Sequence, residues 1–176
     1  MTGSLRGQLL IAAPQLIDYF RRTVVLVIEH TDEGAMGVVL NRPTSAEVSE
    51  LVPDLAELAG EDAVVHAGGP VAPDAVIALG DFEQPEQAGT PISGTLGLLD
   101  PDQPDPALRR LRVYAGYAGW APGQLDAELG QEAWIVEQAA PDDPFGSRAD
   151  LWAALLARKG GSYALLASMP SDPTLN

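Results

Sequence analysis

Cysteine is absent from the 176 residues of this chain. Disulfide bonds, thiolate nucleophiles, iron–sulfur clusters and zinc sites built on cysteine are therefore excluded. A chain without cysteine suits a reducing compartment, and we expect the protein to be cytoplasmic.

Long hydrophobic segments are also missing. The strongly apolar runs, such as Leu9–Pro14 and Val24–Ile28, have about six residues, whereas a membrane-spanning helix needs about 20. The first residues carry one arginine before a short apolar stretch that Pro14 interrupts, which is not typical of a secretory signal. We therefore expect a soluble protein without a membrane partner.

Positive charge is scarce. Twenty-five acidic residues stand against 10 basic ones, for a net charge of −15, and Arg42 is the single base between Glu29 and Asp105. Nucleic-acid binding depends on Lys and Arg side chains that neutralise phosphates, so direct binding is not expected. The acidity favours solubility or, alternatively, a basic partner. The basic clusters are Arg21–Arg22 and the group Arg109, Arg110 and Arg112.

The composition is that of a globular protein, with 46% hydrophobic and 20% charged residues. The length suits one domain, and neither an internal repeat nor a long linker divides it. We expect a single domain over residues 1–176, with residues 170–176 as a loosely held tail.

Strands are predicted first from β-branched runs. Thr23–Ile28 is apolar and β-branched, which favours a central strand covered on both faces. The turn His30–Gly34 joins it to Ala35–Asn41, and this predicts an antiparallel hairpin. A second hairpin is predicted from Val64–Ala67 and Ala75–Leu79, and further strands from Leu9–Ala13, Arg112–Tyr117 and Ala133–Glu137.

Predicted helices are short and scattered. They cover Asp18–Arg22, Ala46–Leu51, Leu55–Ala59, Pro106–Leu111, Gln124–Leu129, Arg148–Arg158 with Ser147 as its cap, and Ser162–Ser168. Hairpins combined with such helices favour an α+β fold around a mixed sheet.

Motifs of known catalytic sites are missing. The chain has no G-x-S-x-G, H-E-x-x-H, P-loop or dinucleotide-binding sequence. The sequence therefore predicts no catalytic residue, no metal site and no cofactor, although it leaves enzymatic activity open.

The first candidate residues are Glu29 and His30, at the mouth of the predicted hairpin. A histidine beside carboxylates can act as a general base or a metal ligand. Alternatively, His30 is a turn residue whose ring bonds the backbone. The second histidine, His66, lies in an apolar strand, where we expect a packed or edge position.

Asn41 and Arg42 follow the second strand of that hairpin. An isolated arginine in an acidic region can bind an anion or carboxylate ligand. Alternatively, it forms a salt bridge with one of the neighbouring acids.

The third candidate group is Trp120, Gln124 and Glu128. Gln124 and Glu128 have i, i+4 spacing on the predicted helix, so they project from one face and could form a polar pocket beside Trp120. Alternatively, Trp120 anchors its loop in the core while Gln124 bonds backbone groups.

Six glycines accompany these residues: Gly34, Gly37, Gly68, Gly69, Gly116 and Gly119. Glycine in strands marks bulges that curve a sheet, or places where a ligand approaches closely.

Taken in order, several segments resemble the YqgE/AlgH family from Gly7 to the C-terminus. They are Gly7–Pro14, Asp18–Phe20, Val24–His30, Gly34–Gly37, Asn41–Pro43, Gly68–Val71, Gly116–Leu125, Glu128–Leu129, Trp134, Phe145 and Leu151–Trp152. The resemblance implies a bifurcated, mixed and largely antiparallel sheet that forms a pseudo-barrel flanked by short helices. It implies no assigned catalytic residues.

The functional expectation is a non-catalytic regulatory or binding module that acts through a small ligand or a protein partner. One alternative is an enzyme that uses a polar site near Glu29 and His30 and near Gln124 and Glu128. A second, suggested by a family name, is a transcriptional regulator without direct DNA contact. The residues to test first are Glu29, His30, Asn41, Arg42, Trp120, Gln124 and Glu128.

Overall fold

Strands make up most of the regular structure. A computed structural model describes residues 4–16, 18–102, 106–146 and 150–168, and the predicted tail 170–176 lies outside them. The strands are β1 (Gln8–Ala12), β2 (Val24–Thr31), β3 (Gly34–Val39), β4 (Pro43–Glu47), β5 (Val64–Ala67), β6 (Val71–Phe82), β7 (Thr90–Ser93), β8 (Leu96–Leu98), β9 (Leu108–Trp120) and β10 (Trp134–Gln138). The helices are α1 (Val48–Leu51), α2 (Ala56–Ala59), α3 (Gln124–Gly130), α4 (Leu151–Lys159) and α5 (Ser162–Leu166).

The sheet branches at β9. Its main path runs β10-β1-β2-β3-β9-β6-β8-β7, with every neighbouring pair antiparallel. A branch leaves β9 through β5, which is parallel to it, and continues to β4. The α+β class and the bifurcated, largely antiparallel sheet are thus confirmed. Among the described strands, β10 and β7 end the path without pairing with each other, so the pseudo-barrel is not closed.

Strand β2 separates two hydrophobic cores. Val24 and Leu26 contribute to a core that also contains residues of α4, whereas Val25 and Val27 contribute to one that contains Leu125 of α3. Successive side chains of a strand point to opposite faces, so a continuous apolar run supplies both cores. Each fully buried aliphatic side chain contributes roughly 1.5–3 kcal/mol of stability. The predicted central strand and its hairpin with β3 are therefore confirmed.

Helix α4 covers the first of these cores. Its predicted apolar stripe is buried, and the indole Nε1 of Trp152 donates a hydrogen bond to the Ala12 carbonyl at 2.8 Å. The helix begins at Leu151, where Asp150 is the cap and accepts from Ala153 N at 3.0 Å. The predicted cap, Ser147, lies outside the described residues. None of the described helices is long and apolar enough to cross a membrane.

Two predicted helices are wrong. Asp18–Arg22 forms turns, in which Asp18 Oδ1 accepts from Phe20 N at 2.9 Å, a local bond that competes with helix formation. Most of Pro106–Leu111 belongs to β9, because Leu108–Leu111 pairs with β6. The strand partner overrides the helical preference of Ala, Leu and Arg.

The predicted hairpin of Val64–Ala67 with Ala75–Leu79 is also wrong. β5 pairs with β4 and β9, whereas β6 pairs with β8 and β9. The chain between β5 and β6 passes over β9 at Gly68 and Gly69, where an added Cβ would overlap the backbone of Gly116 and Tyr117. Gly68 and Gly69 therefore allow two segments of backbone to approach closely, whereas the expectation for them is sheet curvature or approach of a ligand.

Candidate functional site

The predicted group around Trp120 forms a hydrogen-bonded unit. Glu128 Oε1 accepts from the indole nitrogens of Trp120 at 3.0 Å and Trp134 at 2.8 Å, while Oε2 accepts from Gln124 Nε2 at 2.9 Å. Gln124 Oε1 in turn accepts from Ala121 N at 3.0 Å. We call Glu128 with these three partner side chains the Glu128 clamp. Both tryptophans are buried, so this carboxylate satisfies two indole donors that water does not reach freely.

His30 connects the second half of β2 to two other segments. Its Nδ1 accepts from Leu5 N at 3.0 Å, and its Nε2 lies 3.8 Å from Asp126 Oδ1 on α3. This agrees with the alternative in which the ring bonds the backbone. Glu29 is exposed and lines a shallow cavity of about 230 Å³ together with Trp120. The structure thus brings Glu29 and Trp120 to one cavity, and ligand binding there stays a prediction.

Asn41 and Arg42 lie near the opposite end of β2. Asn41 accepts from Val24 N at 3.0 Å and donates to the Arg22 carbonyl at 2.9 Å, so it joins the two strand ends. Arg42 donates to the Arg21 carbonyl at 3.0 Å and stacks over Tyr19 at 4.9 Å. The prediction that Arg42 forms a salt bridge is wrong for the described part of the chain, where no carboxylate pairs with it. The seven predicted residues therefore divide between two regions.

A second cavity lies elsewhere in the described part of the chain. It has a volume of about 470 Å³ and is lined by five consecutive residues of β9, Arg109–Val113, together with His66, Phe145, residues 58–60 and residues 62–64. We call it the arginine groove. Because successive side chains of a strand point to opposite faces, a cavity that touches five in a row lies against the edge of the strand.

The arginines of this groove differ in their partners. Arg110 bonds buried Asp81 at 2.6 Å and exposed Asp142 at 2.9 Å, and it stacks on Phe145 at 4.7 Å. Burial would raise the pKa of Asp81, but hydrogen bonds from Thr95 and Arg110 and the charges of Arg110 and Arg109 hold it below its ordinary value. The guanidinium of Arg110 is therefore already paired with two carboxylates, Asp81 and Asp142.

Arg112 has a different environment. Its guanidinium donates to the Pro144 carbonyl at 2.5 Å and to the Gly146 carbonyl at 3.5 Å. Within the described parts of the chain, no carboxylate pairs with it. Among the described residues, the hydrogen-bond partners of the Arg112 guanidinium are thus carbonyl groups.

His66 also lines the groove. It is 7% exposed, and no described residue has hydrogen-bond geometry to its Nδ1. Burial, with the charge of Arg112, lowers its pKa to about 4, while the Val64 carbonyl acts in the opposite direction.

A matching family model identifies the chain. The model of the DUF179 family, described as AlgH-like, covers residues 9–164. The chain belongs to the AlgH-like family.

Two similar relatives carry the name UPF0301 protein. The protein of Streptomyces coelicolor is 43% identical over 187 residues, which cover 98% of this chain and 96% of the relative. That of Thermobifida fusca is 46% identical over 191 residues, with the same coverage. These matches extend family membership over nearly the whole chain.

Two solved structures share the AlgH-like fold. A crystal structure from Corynebacterium diphtheriae is similar with a TM-score of 0.86 at 27% identity, covering 96% of this chain and 93% of the other. The solution structure of AlgH from Pseudomonas aeruginosa has a TM-score of 0.71 at 30% identity, covering 97% and 96%. The recognition made from the sequence motifs is confirmed.

The arginine groove of this AlgH-like chain was missed as a site. The sequence does contain two signals of it, the cluster of Arg109, Arg110 and Arg112 and a histidine inside an apolar strand. They are 43 or more residues apart along the chain, and only the parallel pairing of His66 with Tyr114 brings them together.

The lowered pKa of His66 predicts a specific loss of stability in acid. Between pH 6.5 and about 4 the unfolded histidine takes up a proton that the folded one does not bind. The free energy of unfolding therefore falls over this interval, by up to about 3 kcal/mol from this residue, and the effect is complete at lower pH. In urea unfolding, the free energy of unfolding should fall more steeply with decreasing pH in the wild type than in His66→Gln. Parallel pH profiles of the two proteins would contradict it.

Proposed function

We propose that this AlgH-like protein is a non-catalytic binding module whose ligand is anionic and occupies the arginine groove. The observation that carries the proposal is Arg112, which lines the groove and whose guanidinium has only carbonyl partners among the described residues. A carboxylate or phosphate oxygen would offer Arg112 a charge-assisted, bidentate acceptor. It would also raise the pKa of His66, so that the ring could donate to the ligand.

We further propose that the protein acts in the cytoplasm and does not contact nucleic acid directly. Cytoplasmic action fits the absence of cysteine. The three arginines of the groove lie near Asp62, Asp81 and Asp142, and the whole chain carries −15. A polyanion gains affinity from many uncompensated bases, whereas a small or single anionic group needs only one or two. Any regulatory role would then operate through a ligand or a protein.

The test is thermal unfolding in the presence of small anions. Inorganic phosphate, glutarate and citrate are the probes, each titrated at constant ionic strength. A ligand at about 100 times its Kd stabilises the native state by about 2.7 kcal/mol, which corresponds to roughly 5–10 °C in Tm for a chain of this length.

Two variants define the site of binding. Arg112→Gln should abolish the shift, since it removes the arginine that lacks a carboxylate partner. Arg6→Gln removes the same charge from an exposed turn before β1 and should leave the shift unchanged. Equal shifts in both variants, or no stabilisation by any of the three anions, would refute the proposal.

A further inference from the structure

We propose that the arginine groove accepts an extended, acidic segment of a partner protein, which adds to the sheet as a strand along the edge of β9. This inference rests on the proposed anion binding and names the chemistry of the ligand. Strand addition supplies affinity through main-chain hydrogen bonds and specificity through alternate side chains.

The edge of β9 is open where the groove lies. On one side β6 pairs with β9 from Leu108 to Tyr117. On the other side, β5 pairs only at Tyr114 and Ala115, and β3 only from Ala118 to Trp120. No described strand pairs with residues 108–113 on that side. Residues 109–113 thus present about 13 Å of strand edge, at 3.3 Å per residue step.

The walls of the groove would cover both faces of an added strand. Leu58 and Ala59 lie on one side, above the cluster in which Leu111 and Val113 are buried. Phe145 lies on the other side, stacked on Arg110. β5 pairs with β9 only from His66 onward, and Val64, which precedes His66 in β5, lines the groove. The cavity of about 470 Å³ lies between residues 109–113 of β9, the segment from α2 to β5, and Phe145.

Charge selects an acidic occupant. Arg110 and Arg112 alternate with Leu111 along the strand, so their side chains share one face. Opposite charges on neighbouring strands stabilise their pairing. An acidic residue opposite Arg112 would supply the carboxylate that this side chain lacks. A second copy of this chain is disfavoured as occupant, because it would bring a net charge of −15 to an equally charged molecule, whereas a short acidic segment brings only a few charges close to Arg112.

An alternative role for the arginines is protection. Charged residues on an open edge discourage unwanted strand pairing. In that case the edge would reject acidic and neutral peptides alike. Binding of a peptide that depends on both its charge and its backbone therefore separates docking from protection.

The experiment uses the full chain and three blocked peptides. The first is Glu-Val-Glu-Val-Glu, the second replaces each Glu by Gln, and the third keeps the acids but carries an N-methyl group on all five residues. We expect the acidic peptide to bind, and both other peptides to bind at least about tenfold more weakly. Arg112→Gln should weaken the acidic peptide by about tenfold, while Arg6→Gln should leave its affinity within about twofold.

Amide hydrogen exchange supplies a readout that simple ion pairing would not change. Outward-facing amides of residues 109–113 should exchange at least about tenfold more slowly with the acidic peptide bound. Equal binding of the N-methylated peptide, without this protection, would overturn strand addition and leave anion binding intact. Small anions that bind while all peptides fail would likewise overturn strand addition alone. Failure of both small anions and peptides would refute both proposals.

Discussion

Replacing Gly69 by alanine is expected to lower the free energy of unfolding by about 3–5 kcal/mol. Gly69 has a φ of +153°, and an added Cβ would overlap the carbonyl group of Tyr117. Gly116, on the facing segment, has a φ of +78°, and its Cβ would overlap the Gly69 carbonyl. Neither backbone can retreat without breaking the branch of the sheet at β9, so both the strain and the overlap remain. Urea unfolding followed by tryptophan fluorescence measures the loss.

A matched glycine provides the control for this prediction. Gly130 ends α3 and has no atom within 4 Å of an added Cβ. Gly130→Ala should change the free energy of unfolding by less than about 0.5 kcal/mol, or stabilise the helix slightly. An unfolding midpoint of Gly69→Ala equal to that of the wild type would show that the crossing tolerates a side chain.

Glu128→Ala is expected to cost about 2–4 kcal/mol. The substitution leaves the indole donors of Trp120 and Trp134 without their acceptor, and each unsatisfied buried donor costs roughly 1–3 kcal/mol. Because both tryptophans pack in the core under α3, their fluorescence should also change in the native state. Urea unfolding gives the stability, and emission spectra of the folded protein give the local effect.

Two further variants separate the causes of that loss. Glu128→Gln retains an oxygen that can accept from both indoles, so it should cost about 1 kcal/mol. Glu57→Ala removes an exposed carboxylate from α2 and should change stability by less than about 0.5 kcal/mol. If Glu128→Ala were no more harmful than Glu57→Ala, the clamp would not stabilise the fold.

Elements with strong local signals are predicted correctly. β2 is visible in the sequence because every residue of Val24–Ile28 is apolar, and the turn before Gly34 permits only a short connection to β3. The spacing of Leu151, Trp152, Leu155 and Leu156 likewise defines the buried face of α4. In each case the information lies within about ten neighbouring residues, which is the range over which periodicity operates.

β9 is an element that periodicity within the sequence does not predict. The sequence predicts its 13 residues as a helix, a strand and a loop, because Ala, Leu and Arg favour helices and Gly119 suggests a turn. Three partners, β3, β5 and β6, hold these residues in one strand. All three partners lie earlier in the chain, and the first of them, β3, ends before α1 and α2 begin. Pairing over such separations leaves no periodic signal within β9 itself.

Among the candidate residues, contacts between near neighbours in the chain are predicted, whereas contacts between distant residues are not. The i, i+4 relation of Gln124 and Glu128 is predicted from the sequence and is observed as a hydrogen bond of 2.9 Å. The second indole of the clamp, Trp134, is not assigned to this group by the sequence, since no spacing rule joins it to Trp120. His30 bonds the backbone of Leu5, a residue that precedes it by 25 positions.

The sequence by itself determined the central strand, the β2–β3 hairpin, the apolar stripe of α4, the shared face of Gln124 and Glu128 on α3 and, through its ordered motifs, the family. Only the tertiary structure decided that β9 is the branch point and that His66 and Arg112 share one groove. Apolar periodicity and turn chemistry act between neighbours in the chain. Whether a strand edge is open depends, by contrast, on which other strands pair with it in the folded chain, and these strands lie far away in sequence.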